Sequence, residues 1–187
     1  MLSSIHPLGE RSRNNRWWLT ITSFTIGSTA TGAMVGAVLG WIGTSLPDAP
    51  WIFALVAVAA GALDLAAVKA PGPERQVNER WIGTFRGWVY GLGFGAQLGA
   101  GVATFVVTWG VYAVFVAELL SDSAAGGAVV GATFGLGRSL APLASVVVDR
   151  PSRLTSFHMA LARLARPVHL SSAVAVVAVG LLGWLVT

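Results

Sequence analysis

The chain has no cysteine and few charged residues, and both shortages limit what it can be. Of its 187 residues, 11% are charged, whereas soluble domains carry roughly 25%. So few charges cannot cover a water-exposed surface of this size. Without cysteine, this chain cannot itself form disulfides, thiolate metal sites or a thiol redox centre. The three histidines, His6, His158 and His169, lie outside the apolar segments and far apart in sequence, so no metal site or other cofactor site is predicted.

Apolar and small residues are abundant instead. The chain is 55% hydrophobic and contains 23 glycines, and its mean hydropathy is +0.70. Small residues allow membrane helices to approach one another closely. The sequence therefore predicts a single all-α transmembrane domain over residues 1–187, a polytopic helix bundle in a lipid bilayer with glycine-zipper packing. Its five apolar stretches cover residues 17–43, 51–68, 88–119, 124–148 and 171–187.

Two of the connecting or overlong segments have features of their own. The third stretch exceeds the roughly 20 residues that cross a bilayer, so we expect it to tilt or to break near Gly91, Gly93 and Gly95. A sixth or re-entrant span within 74–91 stays open. Between residues 153 and 168, apolar side chains recur at helical spacing and the basic residues fall largely off that stripe. This pattern predicts an amphipathic helix lying on the inner leaflet.

Basic residues are distributed on one side of the predicted bundle. They precede the first stretch and fill the second and fourth connections, whereas the connections around Asp48 and Asp122 contain none. The positive-inside rule then places the N-terminus in the cytoplasm and the C-terminus outside, in a multi-pass cell-membrane protein. We interpret the pI near 10.7 as this topology signal and not as a nucleic-acid surface. The first stretch is expected to be a retained signal anchor.

Asp64 and Arg138 are the two charged residues in the interior of these apolar stretches, and every other charged residue lies between the stretches or at their ends. A charge at membrane depth costs several kcal/mol unless it is paired or hydrated, so it marks a candidate functional site. Their surroundings match, Gly61-Ala-Leu-Asp64 against Gly135-Leu-Gly-Arg138, which suggests a two-fold internal repeat. Counted from Trp51 and Ala125 at the outer ends, both lie thirteen residues in, at a depth of about 20 Å. We therefore expect them to form an ion pair.

Other polar residues fall near the same depth and complete the candidate intramembrane site. They are Gln97, Ser28, Thr31 and Ser139. Arginine has five donors, more than one carboxylate can accept, so Gln97, carbonyls or water should take the remainder. Two interpretations stay open. The pair is either a structural clasp between helices or a binding or gating pair in a cavity.

Residues Phe134-Gly-Leu-Gly-Arg-Ser-Leu-Ala-Pro-Leu143 resemble the penultimate helix of cytochrome c biogenesis proteins of the CcdA/DsbD transmembrane type. The closing stretch, 171–187, has a similar glycine and small-residue character. The resemblance implies a related membrane fold. That family has six spans in inverted halves and moves electrons through a pair of membrane cysteines. This chain has five stretches and no cysteine, so the resemblance does not extend to the redox chemistry.

Two functions follow from these observations. The first is a small carrier or channel-like protein with a polar site at Asp64, Gln97 and Arg138. The alternative is a non-catalytic membrane subunit or assembly factor whose glycine-rich helix faces pack against a partner membrane protein or a second copy. No catalytic residue is identified: the sequence has neither a Ser-x-x-Lys nor a His-Glu-x-x-His motif, so an enzyme is not expected.

The topology is testable with reporter fusions. Fusions after Asp48, after Asp122 and at the C-terminus should report placement outside the cytoplasm, because the basic residues hold the opposite ends of the spans inside. Fusions within 150–166 serve as the cytoplasmic control. A cytoplasmic signal at any of the first three positions would contradict the five-span topology.

Overall fold

The structure, a computed structural model, describes residues 5–73, 80–103 and 106–186, and the regular elements in these ranges are helices. The helices are α1 (Pro7–Ser12), α2 (Trp17–Gly43), α3 (Pro50–Leu65), α4 (Arg80–Thr84), α5 (Gly87–Gly99), α6 (Gly110–Leu119), α7 (Ala124–Leu143) and α8 (Pro151–Val186), with a 3₁₀ turn at Ala144–Val147. The all-α prediction is confirmed.

Three of the helices are long and apolar enough to cross a bilayer, namely residues 17–43, 124–147 and 152–185. The helices α3 and α6 are apolar but shorter. Local chemistry explains several boundaries. Pro50 begins α3 at a position that needs no N–H donor, and the side chain of Ser123 caps α7 by accepting the N–H of Gly126 at 3.0 Å.

Helix α2 forms the centre of the bundle, and α7 packs against it in the antiparallel direction. Gly32 meets Gly131, and Gly36 meets Gly127, in reciprocal contacts. A Cβ on Gly36 would stand 2.0 Å from the carbonyl oxygen of Gly127, and one on Gly131 would stand 2.1 Å from that of Gly32. These distances are too short for any side chain. The two backbones therefore touch directly along this seam, which we call the α2–α7 seam.

Helix α5 packs on another side of α2 and runs parallel to it. Gly91, Gly95 and Gly99 lie against the carbonyl oxygens of Thr20, Phe24 and Ser28 in turn. The four-residue spacing of the glycines brings each of them to the same face of α5. Farther from this centre, α3 packs against α8, where Gly61 meets Ala173 and Gly180 meets Ala54. Helix α6 contacts α2, α3 and α7, so it joins the two halves.

The third apolar stretch is not one helix, and the predicted position of its break is wrong. Residues 87–99 and 110–119 are separate helices, and Gly91, Gly93 and Gly95 lie inside α5. The break follows Gly99, where Gly101 adopts a φ of +76°. A left-handed residue of this kind ends a helix. Gly91 and Gly95 remain helical because their bare faces pack on α2, which offsets the low helix propensity of glycine.

The amphipathic segment 153–168 is not a separate helix. It belongs to α8, which continues from Pro151 to Val186 through Pro167. Two other predicted stretches are shorter as helices. The second ends at Leu65, with Ala67 at a φ of 55°, and the fourth passes into the 3₁₀ turn after Leu143. Of the segment 74–91, residues 80–84 form α4, and residues 74–79 lie outside the described ranges, as does Thr187.

Replacing Gly131 by alanine should destabilise the protein by about 1–3 kcal/mol, because overpacking a close contact forces the backbones apart. The matched control is Gly137→Ala on the same helix. A Cβ at Gly137 would meet nothing within 4 Å, so this change should be neutral or stabilise by up to about 1 kcal/mol. Thermal unfolding in detergent micelles measures both. Equal stability of the two variants would show that α2 and α7 are not in backbone contact.

Candidate functional site

The break between α5 and α6 leaves non-helical backbone in the middle of an apolar stretch. A helix end has unpaired carbonyls, and the helix start that follows has unpaired N–H groups. In lipid such groups must find partners within the protein, since each unsatisfied one costs several kcal/mol. Asp64 and Arg138 supply two of these partners, one on each side of the break.

Asp64 caps the beginning of α6 from the neighbouring helix α3. Its carboxylate accepts the backbone N–H of Trp109 at 2.9 Å and that of Gly110 at 3.3 Å. The side chain is 4% exposed. The α6 macrodipole places partial positive charge at this end, so a carboxylate is stabilised there. Asp64 therefore acts as an N-cap supplied by another helix, although it is distant from α6 in sequence.

Arg138 lies on the other side of the break. Its guanidinium donates from Nη1 to the carbonyl oxygen of Gly101 at 3.4 Å, just beyond the end of α5. It also stands over the ring of Phe134, with Cζ 5.3 Å from the ring centroid, a cation–π contact. A cation near carbonyls at a helix C-terminus is favourable for the same electrostatic reason that an anion is at the N-terminus.

The predicted ion pair between Asp64 and Arg138 is wrong for the structure as described. Each charge is bound to backbone and not to the other, and the described salt bridges join Arg13 to Glu10 and Arg153 to Asp149. The physical reason is the break itself. Arg138 is the one cation predicted at the depth of Asp64. The start of α6, however, places two backbone N–H donors beside the Asp64 carboxylate.

The remaining members of the predicted site have separate partners. Ser28 donates to the carbonyl oxygen of Gly135 at 2.7 Å and so links α2 to α7. Ser139 donates to Leu136 within its own helix at 2.7 Å. Thr31 and Gln97 are half-buried, and among the described hydrogen bonds none joins Gln97 to Asp64 or Arg138. The described contacts therefore do not bring the six residues into one cluster.

Further contacts fix the Asp64 end of the break. The carbonyl oxygen of Asp64 is hydrogen bonded to Nε2 of His169 on α8 at 3.1 Å. Trp109 donates from its indole Nε1 to the carbonyl oxygen of Val68 at 2.9 Å, and the Tyr112 hydroxyl donates to that of Pro71. The segment after α3 is thereby tied to the start of α6. Backbone carbonyls and aromatic side chains therefore hold this end of the break in place.

Sequence reasoning missed a buried polar cluster at the Trp17 end of α2. Glu10 is fully buried. Its carboxylate accepts from Arg13 at 2.7 Å, from Thr20 at 2.9 Å and from the Tyr90 hydroxyl. The sequence shows Glu10 as a single acid close to Arg11, Arg13 and Arg16, which could have indicated a local ion pair. Nothing near Glu10 in the sequence indicates its contact with Tyr90.

The cluster anchors the N-terminal segment to three helices. Asn15 accepts the N–H of Gly87 at the start of α5 at 3.4 Å. Ser145, after α7, donates to the carbonyl oxygen of Ile5 at 2.9 Å. Burial, and next the charge of Arg13, lower the pKa of His6, whose Nδ1 accepts the N–H of Gly9 at 3.1 Å. These contacts indicate a structural role.

Two cavities open at this same end of the bundle. One of about 230 Å³ is lined by residues that include Asn15, Arg16 and Arg86. The other is lined in part by Arg11, Trp18 and Asp149. Neither cavity is lined by Asp64, Gln97 or Arg138. In the described ranges, no group of three or more His, Cys, Asp or Glu side chains is arranged to hold a metal ion.

Comparison with known proteins finds two curated relatives, each called "Methylamine utilization protein MauF". The protein from Methylophilus methylotrophus is 32% identical over 149 residues, which cover 74% of this chain and 52% of the relative. The one from Paracoccus versutus is 30% identical over 149 residues, with 74% and 54% covered. The chain thus spans about half the length of these relatives. No family model matches, and no solved structure matches.

The separate roles of Asp64 and Arg138 can be tested by a double-mutant cycle. Asp64→Ala removes the cap of α6 and should cost about 1–2 kcal/mol. Arg138→Gln should cost about 1–3 kcal/mol, because it removes a charged donor from a carbonyl. Since the two side chains have different partners, their effects should add within about 0.5 kcal/mol.

Unfolding of both single variants and the double variant in micelles measures the coupling. Asp48→Asn, at an exposed position, is the control and should be neutral. Asp64→Asn should fall between wild type and Asp64→Ala, since its amide oxygen can still accept. If the double variant lost much less stability than the sum of the two single losses, the two side chains would be coupled, as an ion pair requires.

Proposed function

We propose that this chain is a non-catalytic membrane subunit or assembly factor that acts with a partner protein in methylamine utilization. One observation carries the proposal. The two intramembrane charges bind backbone groups on either side of the break between α5 and α6, so they hold the bundle together. The site thus has the properties of a structural core.

The packing around α2 supports the same interpretation. Along both the α5 and the α7 faces of α2, a Cβ added to a glycine would stand about 2 Å from a carbonyl oxygen of the facing helix. Backbones in such contact leave no space for a substrate between them. Small-residue faces of this kind are the usual means by which membrane helices associate tightly. We interpret them as the glycine-zipper packing predicted from the sequence.

The first half of α8 offers a surface for a partner. The second half of α8 packs on α3 from about His169 onward. The first half extends beyond that packing. Leu164 and Val168 are 54% and 58% exposed, with Arg163 and Arg166 beside them on the exposed helix. A helix that protrudes with apolar and basic side chains together suits a partner with an apolar groove and an acidic rim.

The relatives support the biological setting. Both relatives are named for methylamine utilization, and each alignment includes 74% of this chain. The proposed location is the cell membrane, with five spans, the N-terminus in the cytoplasm and the C-terminus outside. The resemblance of residues 134–143 to the cytochrome c biogenesis family stays a prediction.

A carrier is the second candidate, and the discontinuous helix favours it. Broken helices with charges at their ends form the substrate sites of many secondary transporters. In such a protein the backbone groups of Trp109, Gly110 and Gly101 would release Asp64 or Arg138 to bind substrate. The two candidates predict different defects when the chain is lost: a carrier predicts a loss of methylamine uptake, and a subunit or assembly factor predicts a loss of methylamine consumption.

Deleting the gene in cells that encode the chain should abolish growth on methylamine as nitrogen source but leave growth on ammonium intact. For a subunit or assembly factor, broken cells should also lose methylamine consumption, because a partner is inactive or missing. For a carrier, broken cells should consume methylamine normally, while intact cells fail to take up radiolabelled methylamine. Normal growth on methylamine after deletion would reject both candidates.

The surface on α8 has its own control in this assay. The variant Leu164→Ser with Val168→Ser should lower methylamine consumption while the chain remains folded in the membrane. The variant Thr155→Ser with Ala162→Ser, also at exposed positions of α8, should leave consumption unchanged. Equal consumption by both variants would remove α8 as the partner surface.

A further inference from the structure

Glu118 is a buried carboxyl to which the contacts described above give no role. It lies one residue before the end of α6 and is 1% exposed. Its Oε2 is buried and has no hydrogen-bond partner among the described residues. Its Oε1 lies beside the α2–α7 seam, 3.0 Å from where a Cβ of Gly131 would stand. The carboxyl therefore lies in close contact with the glycine face of the seam.

The helices around Glu118 provide no positive charge in contact with it. Helix α2 contains no ionisable residue, α3 contains only Asp64, and α7 contains only Arg138. Asp64 caps the opposite end of α6, about 12 Å away along its axis at 1.5 Å per residue. Arg138 is seven residues beyond Gly131 and is bound to Gly101. Within α6 the other titratable group is Tyr112, which donates to Pro71, and the nearby loop adds only Asp122.

Three effects disfavour a negative charge on Glu118. Burial without a cation removes the hydration of a carboxylate. The last turn of a helix carries partial negative charge, so an anion is destabilised there. The carbonyl oxygen of Gly32 contacts the same face of Gly131 as Glu118 Oε1 does, and it is a hydrogen-bond acceptor. A protonated carboxyl has an O–H to donate, whereas a carboxylate does not.

We propose that Glu118 is a proton-binding site that locks α6 onto the α2–α7 seam. The carboxyl holds its proton at neutral pH while α6 is packed. When the proton leaves, the charge has no partner, and α6 separates from the seam so that water can reach the carboxylate. The site lies at the end of the bundle whose connections lack basic residues, so it responds to pH on that side. This inference does not rest on the proposed function.

Infrared spectroscopy of the wild-type chain tests the protonation state directly. At neutral pH the other carboxyl groups should absorb as carboxylates, and one carboxylic-acid carbonyl band should remain. That band should disappear in Glu118→Gln and persist in Asp122→Asn, the matched control four residues away. It should also disappear from the wild type as the pH rises. A wild-type spectrum without the acid band at neutral pH would overturn the proposal.

Unfolding as a function of pH tests the lock. A carboxyl that keeps its proton only when folded gives stability that is complete below its ordinary pKa and is lost as pH rises. The folded-to-unfolded ratio of the wild type should therefore fall by up to about tenfold per pH unit relative to Glu118→Gln. Asp122→Asn should follow the wild type. If the wild type and Glu118→Gln have the same pH dependence, the proposal is wrong. The infrared band of the wild type decides the question even if Glu118→Gln does not fold.

Discussion

Backbone hydrogen bonding inside an apolar bundle is the constraint on which this structure depends. Continuous helices satisfy it internally, but the break between α5 and α6 exposes N–H and C=O groups that lipid cannot bind. Asp64 and Arg138 each bind one side of that break. Their charges are stabilised by peptide dipoles and not by each other. This arrangement explains why two charges can exist at this depth without forming an ion pair.

Close contact between backbones is the second requirement, and it determines where the break can occur. Glycines of α5 contact α2 in sequence until Gly99 meets Ser28. Ser28 also donates to Gly135, so α2, α5 and α7 meet at this level. Beyond it α5 ends, and α6 continues the path against the far half of α2, where Gly43 meets the carbonyl oxygen of Leu119. The broken helix thereby spans a length comparable with α2.

Composition and apolar patterning predicted the helical class and most of the helices, because both depend on local sequence. The same patterning failed at the break. Nothing in the uninterrupted apolar stretch predicts that Gly101 adopts a positive φ. The residue that caps α6, Asp64, also lies 45 residues before the N–H group of Trp109 that it accepts. Pairing Asp64 with Arg138 by depth and charge was reasonable only for continuous helices. Glu10 was missed for a related reason, since its partner Tyr90 is 80 residues away.

Helix α6 shows how position along a helix determines what an acid can do. Asp64 meets its N-terminus, where two N–H groups and the positive end of the dipole stabilise a carboxylate. Glu118 lies at its C-terminus, where the dipole has the opposite sign and the α2–α7 seam presents carbonyl oxygens. One acid is therefore matched to its surroundings as an anion, and the other is matched only when it carries a proton. The start of α6 is held by the carboxylate of Asp64. In our proposal the packing of its end, where Leu119 contacts Gly43, also depends on the proton of Glu118.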